Sequence, residues 1–195
     1  MRCNLRTFIA VDFPPGMIEK IGRIIAYFKT QLPESHLKWV TTEQMHLTIK
    51  FIGEVPDQQL PEIKSVITTA IGIQPAFTMG IEGLGMYPHI EKPRIIWLGI
   101  TGKEPLIGLH KILDQALAKV GIRQERRNFS PHLTLARVRR HADQRTVKEI
   151  GKTLSKFKVD SLGIVNVEQI RLYQSKLTPQ GPIYTSLLTV PLNKV

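Results

Sequence analysis

A four-residue pattern of histidine, an apolar residue, threonine and an apolar residue occurs twice in the chain, at His46–Ile49 and at His132–Leu135. Both copies lie in stretches typical of a strand, where side chains at positions i and i+2 point to the same face, about 7 Å apart. Each copy would therefore present an imidazole and a hydroxyl together. Two such pairs in one cleft suit chemistry on phosphate esters, because one histidine can accept a proton while the other donates one, and the hydroxyls can bind phosphoryl oxygens.

The surroundings of the two motifs match. Taken alone, either copy would more often be an ordinary strand that contains a histidine. Apolar residues at helical spacing, however, precede each motif, at 17–32 and 106–120, and follow it, at 60–71 and 147–157. The order helix, motif strand, helix, strands thus occurs twice, which predicts one two-lobed domain over residues 1–195 with an internal duplication.

Alternating apolar residues and turn signals predict the strands that complete this domain. Mixed strands and helices with hairpin-like connections favour an α+β fold with antiparallel sheets, and a crossing between lobes is expected near Gly102–Pro105. The strands are expected at 6–11, 38–40, 45–52, 77–85, 94–100, 129–138, 165–173 and 183–190.

Composition limits the class of protein. A chain of 195 residues, 42% of them hydrophobic, can bury a full core. No apolar run is long enough to span a bilayer, and residues 1–6 lack the hydrophobic core of a signal peptide. The lone Cys3 excludes an intrachain disulfide and a cysteine zinc cluster. We therefore expect a cytoplasmic protein that does not bind membranes, with a monomer as the default state.

Charge indicates the kind of partner. The formal net charge of +11 favours binding to polyanions. A solvated basic surface and a rim that follows phosphates beside the cleft would both account for the basic residues around the second motif. These residues are Arg123, Arg126, Arg127, Arg137, Arg139, Arg140 and His141.

Two further residues occupy equivalent places after the motifs. Phe51 lies five residues after His46, and Arg137 lies five residues after His132. Strict alternation would turn both away from the cleft, so each strand would need a bend or bulge to bring them to the histidine face. The alternatives are core packing for Phe51 and a solvated charge for Arg137.

The sequence around these motifs resembles the two-histidine phosphoesterases and, within them, the RNA 2′,3′-cyclic phosphodiesterases, also called 2′-5′ RNA ligases. The resemblance covers nearly the whole chain. Its motifs are Arg6-Thr7-Phe8-Ile9-Ala10, Lys38-Trp39-Val40, the segment 46–53, Pro93-Arg94-Ile95-Ile96-Trp97-Leu98-Gly99, the segment 129–137, Ser175-Lys176-Leu177 and Gly181-Pro182-Ile183-Tyr184.

The resemblance implies a fold of two pseudo-symmetric lobes, each an antiparallel β-sheet with outer helices, around a central cleft. It implies metal-independent hydrolysis of RNA 2′,3′-cyclic phosphate ends to 2′-phosphomonoesters, with reversible 2′-5′ ligation in vitro. By this resemblance His46 is the proton donor, His132 is the proton acceptor, and Thr48 and Thr134 bind the phosphate. Phe51 would stack on a terminal base, and Arg137 would offset phosphate charge. The expected partner is RNA with a cyclic phosphate end, tRNA fragments included.

Other functions are weighed against this one. No cofactor or metal is expected, since no carboxylate or cysteine accompanies either motif as a third zinc ligand. No glycine-rich triphosphate loop is present, which argues against an ATP-driven ligase. A phosphodiesterase for a small cyclic nucleotide and an RNA-binding or tRNA-handling module stay open. His36 and His110 are assigned to the surface or to a helix.

Overall fold

The computed structural model describes residues 4–179 and 181–193, so that Cys3 lies outside the described residues. Short 3-10 turns cover 34–36, 42–44 and 57–59. The strands and helices are β1 (Asn4–Asp12), α1 (Pro15–Gln31), β2 (Leu37–Trp39), β3 (His46–Pro56), α2 (Leu60–Ile71), β4 (Phe77–Tyr87), β5 (Ile95–Thr101), α3 (Glu104–Ala118), β6 (His132–Val138), α4 (Gln144–Leu154), β7 (Ile164–Val167), β8 (Gln169–Thr178) and β9 (Gly181–Pro191).

The strands form two antiparallel sheets, which we call the first and the second sheet. The strand order is β3-β1-β8-β9 in the first sheet and β2-β6-β5-β4-β7 in the second. Helices α2 and α3 pack together beside the first sheet, where α3 contacts β3 and α2 contacts β9. Helix α1 covers the second sheet with α4, and its Phe28 packs edge-to-face on Phe157 just beyond α4, with 5.6 Å between ring centroids. The predicted α+β fold of two lobes is confirmed.

The two lobes are interleaved along the chain. A crossing occurs where it was expected, between β5 of the second sheet and α3 of the first, at residues 102–103. The chain also crosses from β1 to α1, from β2 to β3, from α2 to β4, from α3 to β6 and from β7 to β8. Neither lobe is therefore a continuous half of the sequence.

Three strand predictions are wrong in their bounds. Strand β3 does not end at Ile52 but continues through Gly53 to Pro56, because β1 pairs with it as far as Pro56. Strand β6 begins at His132 and not at Phe129, because Pro131 has no N–H for a ladder and Phe129 packs on His110 of α3 instead. The stretch 165–173 is two strands, β7 in the second sheet and β8 in the first. The buried positions change from odd to even numbers between Val167 and Ile170, where the chain leaves one sheet for the other.

Among the helices that the described ranges contain, none is long and apolar enough to cross a membrane. The cytoplasmic location and the monomeric state stay predictions.

Candidate active site

The two motif strands approach each other from different sheets, β3 as the edge strand of the first sheet and β6 beside the edge strand β2 of the second. Strand β3 pairs with β1, and β6 pairs with β5, in both cases antiparallel. Although they belong to different sheets, β3 and β6 have Cα atoms within 8 Å of each other. The fold therefore brings the His46 and His132 strands to one cleft.

Each motif histidine is held by the backbone two residues before it. The Nδ1 of His46 donates to the carbonyl oxygen of Gln44, at 2.8 Å, and the Nδ1 of His132 donates to that of Ser130, also at 2.8 Å. A carbonyl can only accept, so Nδ1 carries the hydrogen in both rings and Nε2 is left for proton transfer. Both histidines are half-buried. The backbone thus holds the two imidazoles in the same way in the two lobes.

Each motif strand carries the bulge that the sequence required. Between β1 and β3, Thr48 pairs with Ala10 and Lys50 pairs with Ile9, so one residue of β3 is extra. The strand then exposes Phe51, whose ring lies 6.1 Å from that of Phe8, a ring that also contacts His46. Phe51 therefore lies on the histidine face.

The second strand repeats this geometry. Thr134 pairs with Trp97 and Ala136 pairs with Ile96, which leaves Leu135 as the extra residue. The burial pattern over the six residues from the histidine is the same in both strands, and it ends on the exposed Phe51 in one and the exposed Arg137 in the other.

Both motif threonines are half-buried beside their histidines. Each is two residues from its histidine on an extended strand, before the bulge, and so shares its face. Within residues 4–179 and 181–193, neither the Thr48 nor the Thr134 hydroxyl hydrogen-bonds to another protein group. Both hydroxyls are therefore free to bind a ligand in the cleft.

Aromatic rings from neighbouring strands enclose each imidazole. His46 lies 4.7 Å from Phe8 and 5.0 Å, edge-on, from Tyr184. His132 lies 5.1 Å, edge-on, from Tyr87, whose hydroxyl is 3.1 Å from that of Ser130, and 6.0 Å from Trp97. The sequence reasoning assigned no role to any of these rings.

The electrostatics of His46 depend on burial and on one carboxylate. Burial lowers the pKa of His46, while the hydrogen bond to the Gln44 carbonyl and the charge of Asp12 oppose that shift. Asp12 is directly opposite His46 in β1. Its carboxylate accepts from the Tyr173 hydroxyl at 2.7 Å and pairs with Arg171 at 2.9 Å. Asp12, Arg171 and Tyr173 were missed by the sequence reasoning; only the register across β1, β3 and β8 reveals them.

The basic residues near the second motif do not form one cluster. Arg123, Arg126 and Arg127 precede β6, whereas the 139–141 group follows it, so about 20 Å of strand separates them. Arg137 itself lies on the cleft side. Its charge, with that of Arg6, partly offsets the rise that burial causes in the pKa of Tyr184, the ring that packs on His46.

No group of three or more histidine, cysteine, aspartate or glutamate side chains that could hold a metal ion occurs in the part of the chain that the structure describes.

Two sheets that each bring a His-x-Thr motif to a shared cleft define the two-histidine phosphoesterase class. The chain belongs to the 2′-5′ RNA ligase superfamily, whose family model matches residues 16–171. It is 33% identical over 184 residues to the RNA 2′,3′-cyclic phosphodiesterase of Methanothermobacter thermautotrophicus, covering 94% of this chain and 97% of that protein. It is 34% identical over 183 residues to the protein of the same name from Archaeoglobus fulgidus, covering 94% and 98%.

A solved structure shares the fold over the full length. The crystal structure of E. coli LigT complexed with 3′-AMP superposes with a TM-score of 0.77 at 25% identity, covering 98% of this chain and 99% of that one.

Proposed function

We propose that this protein hydrolyses RNA 2′,3′-cyclic phosphate ends to 2′-phosphomonoesters by paired histidine catalysis. The cyclic phosphodiesterase class follows from the family and from the relatives of that name. The observation that carries the mechanism is the matched pair of imidazoles, each with Nδ1 bound to a backbone carbonyl and a threonine on the same face.

The reaction needs a base and an acid on opposite sides of phosphorus. A water oxygen forms a bond to phosphorus while the bond from phosphorus to the 3′ oxygen breaks, in line. His132 Nε2 takes the proton of the attacking water, and His46 Nε2 gives its proton to the departing 3′ oxygen. The 2′ ester bond stays, so the product is a 2′-phosphomonoester with a free 3′ hydroxyl. Attack by a 5′ hydroxyl in place of water, with the same base and acid, would break the bond to the 3′ oxygen and leave a 2′-5′ linkage.

The remaining cleft residues bind the substrate. The Thr48 and Thr134 hydroxyls would donate to non-bridging oxygens, since neither has a hydrogen-bond partner among the residues that the structure describes. Phe51, which is 58% exposed, offers a ring face for a terminal base. Arg137 would offset phosphate charge from the second lobe.

Burial affects the protonation of His46, the proposed proton donor. Because the pKa of His46 is lowered in the free protein, its protonated form needs support before it can act as an acid. The negative charge of a bound phosphodiester supplies that support, in the same direction as Asp12.

The test uses a short RNA ending in a 2′,3′-cyclic phosphate, incubated with pure protein in excess EDTA. Conversion to the 2′-phosphate alone is expected. Activity only with added metal would overturn the metal-free mechanism, and activity only on mononucleotide 2′,3′-cyclic phosphates would shift the function to small nucleotides.

A variant separates catalysis from binding. His46→Ala should abolish turnover while the affinity for a non-hydrolysable RNA end stays within a few-fold of the wild type. If the affinity fell as far as turnover, the protein would be an RNA-binding module and not this enzyme.

A further inference from the structure

A fully buried lysine lies beside the first motif. Lys50 is 1% exposed and follows the extra residue of the β3 bulge, two positions after Thr48. Its Nζ donates to Asp114 Oδ1 of α3 at 2.6 Å and to the carbonyl oxygen of Arg123 at 3.4 Å. Ala136 occupies the equivalent position of the second motif strand and cannot form such an ion pair.

The partners of Lys50 hold the segment that leads to the second motif. Residues 119–131 connect α3, beside the first sheet, to β6 in the second. Asp114 Oδ1 accepts from the Glu125 amide as well, at 3.1 Å. Further along, the Phe129 ring stacks on His110 of α3, with 4.6 Å between centroids and an interplanar angle of 9°. The next residue, Ser130, supplies the carbonyl that binds His132.

We call the contacts of Lys50 with Asp114 and with the Arg123 carbonyl the anchor, and its carboxylate is ionised. Burial alone would raise the pKa of Asp114, but the hydrogen bonds from Lys50 and the Glu125 amide, together with the charges of Lys50 and His110, outweigh burial and hold that pKa below its ordinary value. A buried ion pair is often no more stabilising than an apolar pair of similar volume. An apolar pair, however, makes no directional contact, whereas the ammonium donates hydrogen bonds to particular oxygens and so fixes their positions.

We propose that Lys50 is a positioning residue that, through Asp114 and the Arg123 carbonyl, sets the place of residues 123–131 and hence of His132 relative to His46. Lys50 does not contact the substrate, because it points to α3, away from the cleft. The pair makes the second motif depend on a side chain of the first motif strand. This inference rests on the proposed function for its kinetic arm only.

The first experiment removes both charges with the double variant Lys50→Met/Asp114→Leu, which leaves no buried charge unpaired. We expect circular dichroism and melting temperature close to the wild type, with kcat on the cyclic-phosphate RNA reduced about 100-fold, since a shift near 1 Å costs that much, and with KM changed less than threefold. The matched control replaces the exposed pair Lys158–Asp160 in the same way and should leave kcat unchanged.

A conservative variant separates position from charge. Asp114→Asn keeps an oxygen for Lys50 and for the Glu125 amide, so its kcat should stay within threefold of the wild type, although the unpaired buried ammonium lowers its melting temperature. A folded double variant with a kcat within threefold of the wild type would overturn the proposal. If the double variant does not fold, Lys50→Met/Asp114→Asn removes the Lys50 donor, keeps the acceptor of the Glu125 amide and leaves no charge unpaired, and the same limits apply to it.

Amide hydrogen exchange tests the anchor without turnover. Loss of the pair should speed exchange at residues 123–129 at least tenfold and leave β8 and β9 unchanged. Unchanged exchange at 123–129 would overturn the proposal even if the wild type proved to have another activity, so the two failures are distinguishable.

Discussion

The two motif threonines give the sharpest test of how the cleft stabilises charge. Thr48→Val and Thr134→Val each replace one hydroxyl by a methyl of similar size and keep the β-branched shape that a strand favours. Because neither hydroxyl is hydrogen-bonded to the protein in the described ranges, the native state loses little, and the melting temperature should move by about 2 °C or less.

The expected kinetic loss follows from the charge on the substrate. A hydrogen bond to a charged group contributes about 1.5–3 kcal/mol, which corresponds to a decrease of roughly 10- to 150-fold in rate for each variant. The two residues belong to different sheets, so their effects should be close to independent, and the double variant should lose roughly 10²- to 10⁴-fold.

The assay is single-turnover hydrolysis of an RNA ending in a 2′,3′-cyclic phosphate, with Thr78→Val, an exposed threonine of β4, as the matched control. A rate within threefold of the wild type for either motif variant would refute the assignment of that hydroxyl to the phosphate. A double variant no slower than the worse single variant would mean that the two hydroxyls act at one place and not on opposite sides.

Four further outcomes are expected. Phe51→Ala should raise KM by roughly 5- to 150-fold, the contribution of one stacked base. The melting temperature of the protein should not fall, because the side chain is already 58% exposed. An unchanged KM would show that this ring does not bind the substrate. Arg137→Met should reduce the slope of log affinity against log salt by about 0.7 for single-stranded RNA, and the same slope as the wild type would contradict a phosphate contact. Because burial lowers the pKa of His46 below its ordinary 6.5, its ring should lose its proton as pH rises through a value below 6.5, which NMR titration of the imidazole C–H signals measures; a midpoint above 6.5 would contradict the effect of burial. Gly85→Ala would place a Cβ 2.1 Å from the Trp97 ring, so we expect a loss of about 1–3 kcal/mol in unfolding free energy and a slower reaction, and a crystal structure with Trp97 unmoved would disprove the reason.

Local pattern predicted the existence of the two motif strands, although not the end of β3 or the start of β6. The spacing of two residues from His46 to Thr48 and three more to Phe51 requires a bulge if all three share a face, and both strands have one. The change of apolar positions from odd to even numbers between Val167 and Ile170 is also present in the sequence, but the pattern predicts one strand because both halves alternate normally.

The walls of the cleft could not be predicted in this way. Tyr184 and Asp12 come close to His46 only through sheet pairings between distant parts of the chain. The spacing of residues along the sequence does not predict these contacts. The Lys50–Asp114 pair is of the same kind, since a lysine in an apolar strand gives no sign of the helix, 64 residues further on, that receives it.

The interleaved lobes have a consequence for how the molecule comes apart. A cut between β5 and α3 would leave β1 and β3 without β8 and β9, and β4 and β5 without β6 and β7, so each fragment would hold one histidine and parts of both sheets. Neither fragment could fold alone as a lobe. The chain should therefore unfold in a single cooperative transition, and two co-expressed fragments should regain a cleft only when they associate, which makes this fold suited to a split reporter of protein association.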